Sequence, residues 1–233
     1  MEPSVPAAPK QRSPWLYVLL GCGGLAALLC LGFTIFTLFV VKKGSDMVAG
    51  MTDPTVKAEN AKKQLGGLPD GYTVIASVSV FGLMDMTVMT DKLASDGGVG
   101  DGARLFQYFH VIANEQNKRT KAFFTGEGDA SALRQSNVNL KAEDVLKRGT
   151  LTVDGRKVHY VATRGVVDTG STRNEGLNSA VLFDCPGDAL SMGVWSQADP
   201  NPGAKVAELE LAGTVADEAE LAKFLRPIDP CGK

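Results

Sequence analysis

Histidine is scarce in this chain, and several signatures of catalysis are missing with it. The only histidines are His110 and His159, and neither has a cysteine or a second histidine within zinc-ligand spacing. The sequence also lacks a Gly-x-Ser-x-Gly turn and a Walker-type phosphate loop. It therefore predicts no zinc centre, no nucleophile elbow and no P-loop. A Ser/His/Asp triad stays open, because its members meet only in the folded structure.

An excess of positive charge is missing too. Residues 1–43 hold four of the 24 basic and one of the 26 acidic side chains, so the remainder carries a formal net charge of −5. Nucleic-acid binding needs a basic face, so no nucleic-acid partner is expected. The acidic balance also argues against a domain that lies flat on an anionic membrane.

Charge of either sign is absent from residues 15–41. As a helix these residues would be about 40 Å long, whereas a bilayer core is about 30 Å thick. We therefore predict a single transmembrane helix over residues 15–41, embedded in the lipid bilayer. The Pro- and Ala-rich residues 1–14 before it are predicted to be a disordered tail.

The apolar run has the features of an uncleaved signal anchor. It is too long for the apolar region of a signal peptide, and no small-x-small cleavage site follows it. Small residues recur along it at helical spacing and could bring two helices close together, which makes a homodimer through this helix possible. The alternative is the ordinary tolerance of membrane helices for small residues. The stripe consists of Gly23, Ala26, Ala27, Cys30, Thr34 and Thr37.

Two of the four cysteines, Cys185 and Cys231, lie outside the span. A lone pair in a domain is typical of one structural disulfide, the alternative being two unpaired buried thiols. The lysines Lys42 and Lys43 after the span would favour a cytoplasmic C-terminal domain. A disulfide needs an oxidising compartment, however, and large domains translocate largely regardless of charge. We therefore expect the C-terminal domain to be extracytoplasmic.

Periodicity after the span predicts an α+β domain over residues 68–233, preceded by a linker and short helix over residues 42–67. Asp53 and Pro54 predict the start of that helix, and Gly66 its end.

Period-two patterns predict strands over residues 72–80, 83–90, 105–113 and 207–213, on both sides of Asp154-Gly155, and around Pro186-Gly187. Residues 114–136 tolerate a helix, and residues 141–148 and 216–225 are predicted to be helical. Short turns between strands require antiparallel pairing. The prediction is a mainly antiparallel sheet of about seven strands with a few short helices.

Residues 166–171 carry the sharpest local motif, Val-Val-Asp-Thr-Gly-Ser. It resembles the active-site turn of aspartic proteases, in which two such turns meet and their carboxylates share a proton. The resemblance implies Asp168 as a catalytic carboxylate. Because the chain has one copy of the motif, it also implies a homodimer. The alternative is a loop in which Asp, Thr and Gly form a turn.

A glycine-rich loop over residues 97–103 contains a Gly-x-Gly-x-x-Ala match. A dinucleotide fingerprint would need a helix after these glycines, but the aromatic residues 105–113 favour a strand. The loop carboxylates Asp91, Asp96 and Asp101 lack the alternate-residue spacing of a calcium loop. We predict a surface loop, and no cofactor or metal site.

Aromatic and sulfur side chains in two predicted strands are either core or the lining of a pocket. They are Phe106, Tyr108, Phe109, Met192 and Trp195. The sequence as a whole predicts a membrane-anchored protein without assigned catalytic residues. Its extracytoplasmic domain would be a binding, sensing or structural module, with an unidentified protein partner possible. The alternative is a membrane-tethered aspartic-protease-like hydrolase that acts as a homodimer through Asp168.

Overall fold

A computed structural model describes residues 53–80, 83–95, 97–112, 115–128, 139–168 and 173–232. The chain divides into two compact units, and all of these residues belong to the second, residues 47–233. The predicted tail 1–14 and span 15–41 lie outside the described residues. Within the described ranges, no helix is both long enough and apolar enough to cross a bilayer.

Seven strands of the described chain form one sheet. In chain order they are β1 (Thr73–Val80), β2 (Met84–Thr90), β3 (Leu105–Val111), β4 (Asn139–Val153), β5 (Arg156–Asp168), β6 (Arg173–Phe183) and β7 (Leu190–Ala198). Their spatial order is β1-β2-β3-β7-β6-β5-β4, and every neighbouring pair is antiparallel. The predicted α+β class and antiparallel sheet are therefore confirmed.

Helices cover both faces of this sheet. Alternate side chains of a strand point to opposite faces, and apolar side chains on each face pack against a helix. The helices are α1 (Pro54–Leu65), α2 (Glu115–Thr125) and α3 (Glu218–Leu225). The core on one face joins Leu65 of α1 and Phe224 of α3 to Phe106, Val181 and Trp195 of the strands. The core on the other face joins Phe123 and Phe124 of α2 to Val161, Ala180 and Met192.

Short-range signals predicted several of these elements correctly. Asp53 caps α1, because its Oδ1 accepts hydrogen bonds from the backbone N of Thr55 (2.8 Å) and of Val56 (3.1 Å). Gly66 ends the helix at a φ of 76°, a conformation that glycine adopts without steric cost. The predicted C-terminal helix is present as α3.

The Asp154-Gly155 turn joins β4 to β5, as predicted. Both residues have positive φ, 49° for Asp154 and 80° for Gly155, which a type I′ hairpin turn requires. The predicted disulfide is also confirmed, with Cys185 bonded to Cys231 across a sequence separation of 46.

The helix predicted over residues 141–148 is wrong, because these residues belong to β4. The strand pairs with β5 along its whole length, from Asn139 opposite Asp168 to Val153 opposite Arg156. Its register shifts twice, and such irregularities interrupt the period-two pattern that marks a strand. An isolated eight-residue helix is marginal in water, so the ladder with β5 prevails over local helix propensity.

The strand predicted over residues 207–213 is also wrong. A short 3-10 helix, Val206–Glu208, lies there within the connection from β7 to α3. The alternation of apolar and acidic residues is genuine, but a strand also needs a partner. Because β7 is paired with β3 on one side and β6 on the other, this segment finds no free position beside it.

Candidate functional site

Three aromatic rings meet where α3 crosses the sheet. Tyr72 precedes β1, Trp195 lies on β7 and Phe224 lies on α3. The Trp195 and Phe224 rings stack with centroids 4.3 Å apart and planes within 10°. The Tyr72 ring centroid lies 5.0 Å from that of Phe224, and Trp195 Nε1 donates a hydrogen bond of 2.8 Å to Tyr72 Oη.

Alternation along β7 places Trp195 on the face that α3 covers, opposite Phe106 of β3. The Phe106 ring contacts Phe224 edge-on at 5.0 Å between centroids. Gly193 makes room for it, since a Cβ there would lie 2.4 Å from Phe106 Cζ. The aromatic cluster therefore depends on a glycine two residues before the tryptophan.

Arg104 ties the start of β3 to the region of α3. Its guanidinium carbon lies 5.4 Å from the centroid of the Trp195 ring, within cation–π range. Its Nη2 donates to the carbonyl oxygen of Gly213 at 2.6 Å, and its Nη1 lies 3.8 Å from Glu220 Oε2. The backbone N of Arg104 donates to Asp91 Oδ1 at 2.7 Å. These contacts hold the guanidinium beside the indole ring.

A groove of about 590 Å³ opens above the aromatic rings, and we call it the Trp195 groove. Trp195 is only 1% exposed, so its ring forms the bottom while Tyr72 and Phe224 form the wall. Charges of both signs surround this apolar surface: Asp70, Asp91 and Glu220 are acidic, and Arg104, Lys223 and Arg226 are basic. Its size lies within the range of small-ligand sites, about 300–1,000 Å³.

The Tyr72 hydroxyl gives the groove one oriented hydrogen-bond donor. Burial raises the pKa of Tyr72 to about 12, against the opposing effect of the bond from Trp195. The phenol is therefore neutral at physiological pH. Since its oxygen accepts from Trp195 and no described residue accepts its proton, that proton remains for a ligand carbonyl or carboxylate.

A second polar arrangement crosses three neighbouring strands. Asp85 of β2 is paired in register with His110 of β3, and His110 is paired with Ser191 of β7. His110 Nδ1 lies 2.9 Å from Ser191 Oγ. Ser191 is 1% exposed, and its strand is paired on both sides. The serine thus lacks the accessible hydroxyl that a nucleophile needs. The His110–Ser191 pair is a partly buried polar contact between β3 and β7.

The other histidine, His159, also contacts a hydroxyl. Its Nδ1 lies 3.0 Å from Thr150 Oγ1 on the neighbouring strand β4. Each histidine is therefore held by a cross-strand hydroxyl, a contact that period-two patterns alone do not predict.

The predicted carboxylate Asp168 is the last residue of β5, and its backbone is paired with that of Arg173 at the start of β6. Thr169, Gly170 and Ser171, which complete the protease-like motif, lie outside the described residues. Asp168 lies at the end of a hairpin, and the aspartic-protease interpretation stays a prediction.

The glycine-rich loop connects β2 to β3 rather than opening a helix. Leu93 and Val99 form an isolated bridge within it, and Gly97 and Gly102 have positive φ. The residues after it form β3, so the structural context of a dinucleotide fingerprint is lacking at this loop. Asp91 at its start binds the Arg104 backbone instead.

The sequence left open whether the aromatic and sulfur side chains of two strands form the core or line a pocket, and some of them do contribute to a pocket. Trp195 and Phe106 take part in the Trp195 groove or its support, whereas Phe109 and Met192 pack on the opposite face of the sheet. The sequence did not single out Tyr72, Arg104 or Glu220 as site residues. Their only signal is position, since Tyr72 and Arg104 directly precede strands and Glu220 lies on the last helix.

Comparison with known proteins adds no relative: no family model, no curated protein and no solved structure matches this chain.

Proposed function

We propose that this chain is a single-pass membrane protein, anchored by residues 15–41, whose extracytoplasmic domain binds a peptide segment in the Trp195 groove. The observation that carries the proposal is the aromatic surface of the groove, formed by Trp195 stacked on Phe224 and by Tyr72 beside them, with charges of both signs around it. The Cys185–Cys231 disulfide supports the extracytoplasmic placement, because disulfides persist in oxidising compartments.

A peptide would supply partners for the aromatic rings, the Tyr72 hydroxyl and the charged rim of the groove. An aromatic or proline side chain would lie on the Tyr72 and Phe224 rings, where aromatic contacts add to area burial. A peptide carbonyl would accept the Tyr72 proton. Basic side chains of the peptide would meet Asp70 or Asp91, and acidic side chains would meet Lys223 or Arg226, all of which line the groove.

Tryptophan fluorescence of the full chain in detergent tests this proposal. The chain has two tryptophans, Trp15 and Trp195, so a Trp15→Phe variant leaves Trp195 as the only emitter. Peptides selected from a random library against this variant should shift the Trp195 emission as they bind. Selection should enrich sequences that carry an aromatic or proline residue beside a charge.

A matched pair of charge reversals locates the binding. Lys223→Glu alters the groove rim, whereas Lys205→Glu alters an exposed lysine in the β7–α3 connection. Selected peptides should bind the first variant about tenfold more weakly, which corresponds to about 1.4 kcal/mol, and the second like the parent. Equal binding to both variants would place the peptides elsewhere and refute the proposal.

A further inference from the structure

The Trp195 groove is short in the direction of α3. Its lining residues on this helix and just after it extend from Glu220 to Pro227, which at about 1.5 Å rise per residue is roughly 10 Å. An extended peptide rises about 3.3 Å per residue, so the groove holds about three peptide residues. A longer peptide must therefore leave the groove at both ends or terminate inside it.

Backbone contacts close one end of the groove. A Cβ on Gly67 would lie 2.3 Å from the carbonyl oxygen of Pro227, and a Cβ on Gly66 would lie 2.6 Å from that of Asp229. The backbone N of Asp229 also donates to the carbonyl oxygen of Leu65 at 2.6 Å. The loop after α1 and the chain after α3 therefore meet beside Pro227 and leave no passage for a peptide there. We call this end of the groove the closed end.

Side chains bridge the opposite end of the groove. Arg104 Nη1 lies 3.8 Å from Glu220 Oε2, and the two side chains are 30% and 33% exposed. An exposed ion pair of this kind contributes little free energy, so a ligand can separate it. The groove is thus a pit with one firm end, which suits the end of a peptide chain better than a segment that continues in both directions.

Two cations lie toward the closed end without a carboxylate partner. Arg226 keeps helical dihedral angles, with φ of −54° and ψ of −49°, so Lys223 and Arg226 are neighbours on one side of α3. Both side chains line the groove and both are exposed. Within the described ranges, no carboxylate lies within ion-pair distance of either.

The carbonyl groups that end α3 have partners other than these two side chains. Lysine and arginine near a helix C-terminus can bind its last carbonyl oxygens. Here the backbone N of Arg226 donates to the oxygen of Lys223 at 3.4 Å, and that of Ile228 to the oxygen of Leu225 at 3.0 Å. Arg156 Nη2 donates to the oxygen of Arg226 at 2.9 Å. The charged groups of Lys223 and Arg226 are therefore available to a ligand.

Most acidic side chains of the groove already have partners. Asp91 Oδ1 accepts a hydrogen bond from the backbone N of Arg104 at 2.7 Å, and Glu220 lies beside the Arg104 guanidinium. Asp70 is the one carboxylate of the lining without a partner among the described residues. Two unpaired cations thus face one unpaired carboxylate, and this balance favours an anionic group of the ligand.

We propose that the Trp195 groove binds the C-terminal end of a peptide, with the terminal carboxylate between Lys223 and Arg226 and the last side chain against the Tyr72 and Phe224 rings. This inference rests on the peptide binding proposed above and adds which part of the peptide enters the groove. A free C-terminus is both the end of a chain and an anion, so it fits the closed end and the unpaired cations at once. Its hydrogen bonds to charged donors are about twice as strong as neutral ones.

Peptides that differ only at their ends test this inference. The full chain carrying Trp15→Phe is kept in detergent, and peptides without tryptophan are selected from a library displayed with free C-termini. Each selected peptide is made as the free acid, as the C-terminal amide, as the acid extended by one glycine, and as the acid with an acetylated N-terminus. Amidation removes the terminal charge, whereas the added glycine keeps the charge and moves it by about 3.5 Å. Titrations follow the emission of Trp195.

The free acid and the acetylated acid should bind alike. The amide and the extended acid should bind about tenfold more weakly, which corresponds to about 1.4 kcal/mol. In Arg226→Gln the ratio of acid to amide affinity should approach one, whereas Arg119→Gln, at an exposed arginine of α2, should keep it. Equal binding of acid and amide overturns the inference. Loss of binding on acetylation alone places the N-terminal amine beside Asp70 and overturns it too.

The charge reversals at positions 223 and 205 separate failure of this inference from failure of the peptide site. Acid and amide that bind equally, and that are both weakened by Lys223→Glu but not by Lys205→Glu, keep the peptide site and refute the C-terminal end. Peptides that bind both charge reversals equally refute the peptide site and this inference with it. A selection in which no peptide shifts the Trp195 emission has the same consequence.

Discussion

Trp195 and Phe224 stack with ring centroids 4.3 Å apart and planes within 10° of parallel. This contact joins β7, at the centre of the sheet, to α3, the last helix of the domain. It also forms the apolar surface of the Trp195 groove. The same two rings therefore serve the packing of the core and the candidate binding site.

Replacing Phe224 by Ala should destabilise the domain by about 3–5 kcal/mol, the usual cost of removing a buried phenyl ring. The side chain is buried and contacts the rings of Tyr72, Phe106 and Trp195. Denaturant unfolding of the full chain, followed by Trp195 fluorescence, measures the change. Lys223→Ala, an exposed neighbour on α3, should stay within about 0.5 kcal/mol of the parent. Equal effects of the two substitutions would contradict the packing described here.

Two tyrosines should respond in opposite ways to loss of their hydroxyl. Tyr72→Phe removes the acceptor of Trp195 Nε1 and should cost about 1–3 kcal/mol, because a buried donor loses its partner. The buried Tyr108 Oη makes no hydrogen bond of normal geometry with a described residue. Tyr108→Phe should therefore be neutral or stabilising. Denaturant unfolding of both variants provides the comparison, and a large loss in Tyr108→Phe would show that the nearby Ser191 hydroxyl is a stabilising hydrogen-bond partner.

Stability should fall between about pH 10 and pH 12. Burial raises the pKa of both Tyr72 and Tyr108 to about 12 from 10.0, against the hydrogen bond from Trp195 in the first case and the nearby Ser191 hydroxyl in the second. Below pH 10 both states of the protein keep the phenols neutral, so stability is unaffected. Between the two values only the unfolded chain loses the proton, which favours unfolding. Unfolding midpoints across this range should decrease less in Tyr108→Phe than in the parent.

Removal of the disulfide should cost about 4 kcal/mol in the chain-entropy model, given the sequence separation of 46 between Cys185 and Cys231. A variant with both cysteines replaced by Ser should unfold at a lower temperature than the oxidised parent. Reductant should lower the midpoint of the parent and leave that of the variant unchanged. A parent that is insensitive to reductant would contradict the structural role of the bond, and would weaken the argument for an extracytoplasmic domain.

Asp168→Ala tests the protease-like motif directly. The binding proposal expects the parent to cleave no peptide, and the variant to fold and bind selected peptides like the parent. Incubation of both proteins with denatured casein at acidic and neutral pH, followed by gel electrophoresis, provides the measurement. Cleavage by the parent that Asp168→Ala abolishes would replace the binding module with the aspartic-protease-like hydrolase.

The residues of the Trp195 groove show why the site was only partly predictable. The sequence indicates Trp195 and Phe106 as candidates, because aromatic residues in strands either pack in the core or line a pocket. Arg104 and Glu220 are ordinary surface residues in the sequence, and they meet only because β3 and α3 share one face of the sheet. A site assembled from residues 72, 104, 195, 220 and 224 leaves no local motif.

By itself, the sequence determined the features that arise from short-range chemistry. Asp53, Pro54 and Gly66 delimit α1, because a cap and a helix stop act within one turn. Asp154-Gly155 determines the hairpin, because positive φ is a property of two residues. The antiparallel class follows from short turns, and the single pair of cysteines in the domain leaves one possible disulfide.

Only the tertiary structure decided what depends on a distant partner. Residues 141–148 suit a helix, yet they join β4 because β5 offers a ladder of hydrogen bonds along their whole length. Residues 207–213 alternate like a strand, yet they stay a connection because both sides of β7 are already occupied. Backbone pairing depends on whether a neighbouring strand has a free side, and only the folded sheet determines that.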